Sequence, residues 1–131
     1  MPGEAPRAAP RPVYLDLTKI REPVPAIVSI LHRVSGAALF LVGIPVLLYG
    51  VQQSLGSPED YASLQAVIAH PVAKLVLLGL IWSFLHHLCA GIRHLLLDVH
   101  IGTALKASRQ SGFAVLVISL ALTAIVGARL W

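Results

Sequence analysis

The stretch 82–98, WSFLHHLCAGIRHLLLD, reads as the second half of a hydrophobic helix, yet it carries His86, His87, Arg93, His94 and Asp98. Ionisable side chains at membrane depth cost roughly 2.5–3.5 kcal/mol each on insertion scales, so they mark a functional site by default. His87, Gly91, His94 and Asp98 follow i, i+4, i+7, i+11 spacing and line one stripe of an α-helix. A histidine with a glycine one turn away offers a metal-ligating nitrogen beside a flat place in the helix surface. That is what a haem requires. The same histidine also reads as a polar side chain hydrogen-bonded to a neighbouring helix, and spacing does not separate the two readings. His86 competes with His87 as well, about 100° round the helix and above Ala90 and Arg93. Gly91 favours His87, but the physics of the residues leaves the pair unranked.

A second chemical stretch lies at 29–36, SILHRVSG. Ser29 and Arg33 share a face at i, i+4. A hydroxyl beside a guanidinium can donate hydrogen bonds to a quinone carbonyl, whose oxygen gains negative charge on reduction. His32 and Arg33 can pair with haem propionates, carboxylates that need cationic partners where water is scarce. The alternative is snorkelling, with both side chains simply reaching to the lipid head groups.

Both stretches must be carried by membrane helices. The 131 residues are 56% hydrophobic and 12% charged, with a mean hydropathy of +0.79, too apolar for an ordinary soluble domain of this size. The expectation is one all-α domain over 25–131 with three transmembrane spans at about 25–52, 71–98 and 111–129. Residues 1–12, MPGEAPRAAPRP, are expected to be disordered, and 13–24 to form a surface segment leading into the membrane. Pro25 suits a first-turn position, and Pro45 predicts a kink in the first span. Ser29, Gly36, Gly43 and Gly50 recur every seven residues as a smooth packing strip. Between the first two spans, Ser57-Pro58-Glu59 reads as an N-cap opening a short interfacial helix. Residues 102–111 are expected to be a polar connection, and Trp131 an interfacial end.

The formal charge of +4 is no nucleic-acid signature, because the basic residues sit at the ends of apolar runs. Arg7, Arg11, Lys19, Arg21, Lys106 and Arg109 fall in the N-terminal segment and second loop, and the first loop carries no Lys or Arg. The N-terminus is therefore expected in the cytoplasm, or in the matrix of an organelle. His87 lies roughly 16 Å along the axis from Asp98, inside the hydrocarbon. The single cysteine, Cys89, forms no internal disulfide, and without a C-x-x-C-H motif any haem would be held non-covalently.

At this point the residues carry a likeness. RPVYLDLTKIREPVPAIVSILHRVSG (11–36) and HLCAGIRHLLLD (87–98) resemble the two signatures of the cytochrome b membrane-anchor subunit of succinate dehydrogenase, in the right order. The resemblance implies that His87 is an axial ligand of haem b, with Gly91, His94 and His32 near that haem. It implies that Ser29 and Arg33 line a ubiquinone site, Arg33 also lying near the propionates, with Arg93 and Asp98 as supporting polar residues. It further implies a second hydrophobic anchor subunit that supplies the other axial ligand and completes a helical bundle. An iron–sulfur subunit and a flavoprotein subunit would dock on the cytoplasmic face. Two positions depart from the family pattern. Leu97 stands where an aromatic or methionine is preferred, and His100 replaces a small residue.

The functional expectation is a non-catalytic anchor in a bacterial inner membrane, with the mitochondrial inner membrane as runner-up. It would pass electrons from succinate to ubiquinone through the complex. The chain has no dinucleotide fingerprint and no cysteine cluster, so it performs no succinate chemistry itself. The alternatives are a fumarate reductase anchor, a transporter or channel subunit using His87, His94 and Asp98 as a proton relay, and a haem-free structural anchor.

Overall fold

The computed structural model describes residues 19–131, and the expected disordered segment 1–12 and the first half of the lead-in 13–24 lie outside that range. The chain runs through α1 (Val24–Ala38), a π-helical turn (Leu39–Gly43), α2 (Ile44–Leu55), α3 (Pro58–Ala69), α4 (Pro71–Asp98) and α5 (Leu105–Leu130). The π-turn joins α1 and α2 into one continuous helix, so three helices among the described residues can cross a membrane: Val24–Leu55, Pro71–Asp98 and Leu105–Leu130. The protein is an all-α integral membrane protein with three spans. α4 is the middle helix, packed against both α1 and α5.

Local chemistry explains where each helix begins and bends. Pro45 has no N–H, and its ring would strike the carbonyl four residues back. The wide turn at Leu39–Gly43 absorbs that misfit, and the Ile44 N–H reaches back to the Leu39 carbonyl. The expected kink thus takes the form of a π-bulge. Ser57 caps α3 in a full capping box, with Asp60 returning the bond to the Ser57 N–H at 3.0 Å. The acid of the box is Asp60, one residue beyond Glu59. His70 caps α4, its Nδ1 accepting from the Val72 N–H at 3.2 Å.

α5 corrects the expected boundaries. Residues 105–111 are helical, so the polar connection is the short turn between Asp98 and Leu105. Lys106, Ala107, Arg109 and Gln110 are sound helix formers, and the helix continues beyond the apolar run into the head-group region. The turn is a Schellman motif. The His100 N–H donates to the Leu97 carbonyl and the Ile101 N–H to the Leu96 carbonyl, both at 2.9 Å. His100 occupies the left-handed position at φ 62°, where glycine is normally favoured.

The interior is the reverse of a soluble core. Val28, Ala90 and Val115 meet at its centre, and Ser35, Ser83, His86, Arg93, Gly112, Ser119 and Thr123 are buried with them. Large residues such as Phe40, Leu41, Leu47, Phe84 and Ile125 point outward. Lipid tails reward no apolar burial, so small and polar side chains take the helix seams. The glycine strip of the first span follows this rule only partway. Gly36 packs on His87 and Gly43 near Leu80, while Gly50 faces nothing within 4 Å. There the helices splay, leaving an apolar cleft among α2, α3 and α4 that Val46, Leu64 and Leu77 help to line. On the same side, the Lys74 ammonium stands 5.3 Å over the Trp131 ring and ties the start of α4 to the chain's end.

The αL position of His100 makes a first prediction. His100→Gly relieves a strained non-glycine residue and stabilises the protein by about 1 kcal/mol, read as a raised melting temperature in detergent. An unchanged or lowered midpoint would remove backbone strain from the account of this turn.

Candidate functional site

His87 projects from α4 toward α1, and one turn of α1 receives it. Its ring lies nearly flat on that of His32, with centroids 4.0 Å apart and planes inclined by 13°. Its Nδ1 stands 3.0 Å from the His32 carbonyl oxygen and 3.2 Å from Ser35 Oγ. A carbonyl can only accept, so Nδ1 carries the proton. Ser35 donates its own proton to the same carbonyl at 2.9 Å, which leaves its oxygen free to accept from Nδ1. The neutral imidazole therefore keeps its lone pair on Nε2. None of the described residues hydrogen-bonds that nitrogen, and it is not sealed inside the chain. A histidine whose N–H is held by a backbone carbonyl while its other nitrogen stays free is poised to bind metal.

His86 has the opposite fate. It is wholly buried, stacks on Trp82 with centroids 5.3 Å apart, and brings Nδ1 within 3.5 Å of Ser119 Oγ. Its Nε2 is buried with no hydrogen-bond partner among the described residues. A ligand to a group held from outside the chain must be reachable, and His86 is enclosed by its own three helices. Accessibility favours His87.

His94 joins the His32–His87 pair, its ring 5.0 Å from that of His32 and tilted by 59°. Gly91 lies one turn beyond His87 on α4. Its open side faces His32, whose Nε2 would lie 3.6 Å from an added Cβ. The glycine against His87 is Gly36, because the ring leans toward α1 rather than along its own helix. Ser29, half-buried, and Arg33, exposed, lie one turn apart on α1, and none of the described residues hydrogen-bonds either side chain. Asp98 is exposed at the last residue of α4. Among the described residues no group of three His, Cys, Asp or Glu is arranged as a self-contained metal site.

Arg93 turns inward. It is 5% exposed, and it donates from Nε to Ser111 Oγ at 3.0 Å and from Nη2 to the Ser108 carbonyl and hydroxyl at 3.2 and 2.9 Å. A guanidinium satisfied by neutral oxygens at this depth acts as a clamp between α4 and α5. Reasoning from sequence had placed Ser108 and Ser111 in a loop and so missed this clamp. It also passed over Ser35 as a partner of His87. Its signal was present in the i, i+3 spacing from His32, on the face that carries Gly36.

Comparison with known proteins follows the same lines. Residues 7–126 match the family described as succinate dehydrogenase/fumarate reductase transmembrane subunit. The chain is 37% identical to the succinate dehydrogenase cytochrome b556 subunit of Coxiella burnetii, over 94% of this chain and 98% of that protein. The subunit of the same name from Rickettsia prowazekii is 34% identical over 86% of this chain and 87% of that protein. The one from Paracoccus denitrificans is 31% identical over 86% and 85%.

The clamp makes the second prediction. Ser111→Ala strips the acceptor from Nε of a buried guanidinium, at a cost of about 1–3 kcal/mol. The measurements are the melting temperature and the amount of assembled protein in the membrane. Wild-type values for both would show that Arg93 finds its support elsewhere.

Proposed function

The chain belongs to the succinate dehydrogenase/fumarate reductase transmembrane subunit family, and from that premise we propose that it is the haem-ligating, quinone-binding half of a succinate dehydrogenase membrane anchor. The observation that supports this most is the hydrogen bond from His87 Nδ1 to the His32 carbonyl, which leaves Nε2 unprotonated and open. The donor set fits a haem b: one accessible imidazole nitrogen, two further imidazoles at His32 and His94, and the Arg33 guanidinium one residue from His32. A haem bound there supplies a one-electron centre beside the quinone pocket. His87 would supply one nitrogen to the iron, and a histidine of a second hydrophobic subunit would supply another. His32 and Arg33 would neutralise the propionates.

Ser29 and Arg33 hold a ubiquinone carbonyl between a hydroxyl and a guanidinium. That arrangement stabilises the negative charge that develops on the oxygen during reduction. His94 and Asp98 continue the polar stripe toward the face where an iron–sulfur subunit and a flavoprotein subunit dock. Succinate is oxidised on the flavoprotein, and this chain anchors the complex and houses part of the quinone site. The basic residues Lys19, Arg21, Lys106 and Arg109 lie at one side of the bundle, and the first loop has no Lys or Arg. With the bacterial relatives, this supports an inner-membrane protein with a cytoplasmic N-terminus. The relatives' names favour succinate oxidation over fumarate reduction.

Two predictions test the reading. The purified complex shows the reduced-minus-oxidised absorbance of a b-type haem, and His87→Leu abolishes it. An unaltered spectrum in that variant would discard the ligand assignment. Arg33→Leu lowers quinone reduction by about tenfold or more while succinate oxidation by a soluble dye stays within about twofold. An equal loss in both assays would place Arg33 outside the quinone site.

A further inference from the structure

We infer that Ser35 and Gly36 are positioning residues for the His87 imidazole, a role that rests on the reading of His87 as the iron ligand. Three contacts converge on the ring from one turn of α1. A Cβ built on Gly36 would stand 2.8 Å from Cε1, 3.3 Å from Nδ1 and 3.8 Å from Nε2 of His87, so the ring edge lies against bare backbone. Ser35 is 1% exposed, and its hydroxyl joins the His32 carbonyl to Nδ1. The His32 ring covers one face at 4.0 Å. An edge, a nitrogen and a face are each held by a different residue, and together they stop the imidazole turning about its bond to Cβ.

That fixation has consequences for a metal ligand. The rotation of the ring sets where the Nε2 lone pair points and how the ring plane sits against the metal. The acceptors on Nδ1–H raise the basicity of the imidazole. Ser35 tunes the donor strength of His87, and Gly36 permits its orientation. The two lie three and four residues beyond His32 on one helical face, so a single turn of α1 does all three tasks. Gly36 is also the position where alanine would favour the helix itself, which separates ring displacement from helix damage.

The test uses the complete complex with Ser35→Ala and Gly36→Ala, alongside His87→Leu. Ser35→Ala weakens the acceptor set on Nδ1, makes the imidazole a poorer donor to the ferric state, and shifts the haem midpoint potential upward. Gly36→Ala turns the ring, which moves the low-spin ferric resonance positions and speeds haem loss to apomyoglobin by about ten- to hundredfold. Parent-like potential, resonance and haem loss in both assembled variants would overturn the positioning role and leave the ligand assignment standing. Retention of haem by His87→Leu would instead sink the ligand assignment. If Gly36→Ala does not assemble, the potential of Ser35→Ala, which loses a single oxygen, decides alone.

Discussion

One backbone carbonyl governs the chemistry of the inner half of this bundle. The oxygen of His32 receives both the Ser35 hydroxyl and the Nδ1–H of His87. Because it can only accept, it dictates which nitrogen of His87 holds the proton and which keeps a lone pair. The same contact joins α1 to α4 across the chain, so helix packing and the tautomer of His87 are one interaction. Without it, His87 would be another polar side chain near lipid.

The rest of the bundle is arranged to make that contact possible. Helices in a membrane gain nothing from hiding leucine, and they approach closely only where side chains are small. Gly36, Ala90, Ser35 and Ser119 let the three helices come together around His86 and Val28. The large apolar residues are thereby pushed to the outside, facing lipid or a partner. Arg93 is the costly exception. It is buried and charged, and three bonds to two serines on α5 hold it in place.

Under the proposed function this division of labour has a physical logic. His86 and Arg93 stay inside and bind the helices of this chain to one another. His87, His94 and Arg33 remain open toward whatever completes the site. Adjacent residues of one helix face inward and outward because α-helical geometry turns about 100° per residue. The pair His86–His87 therefore divides into a buried and a partly exposed member with no change of residue type.

Much of this was written in the chain itself. Three apolar runs, the interfacial Ser57–Pro58 start, the Pro45 irregularity and the polar cluster at one membrane depth follow from composition and spacing, because they are local matters of hydropathy, capping and backbone chemistry. Helix faces were legible too, since His87, Gly91, His94 and Asp98 fall on one stripe by periodicity alone. Which face meets which neighbour was not. That Gly36 rather than Gly91 receives the His87 ring, that Ser108 and Ser111 hold Arg93, and that His86 is sealed away all depend on how α1, α4 and α5 are rotated about their axes. Those rotations arise from contacts between different helices, from Arg93 with Ser108 on the next helix to His32 with His87 much further along the chain, and periodicity along one helix carries no information about them.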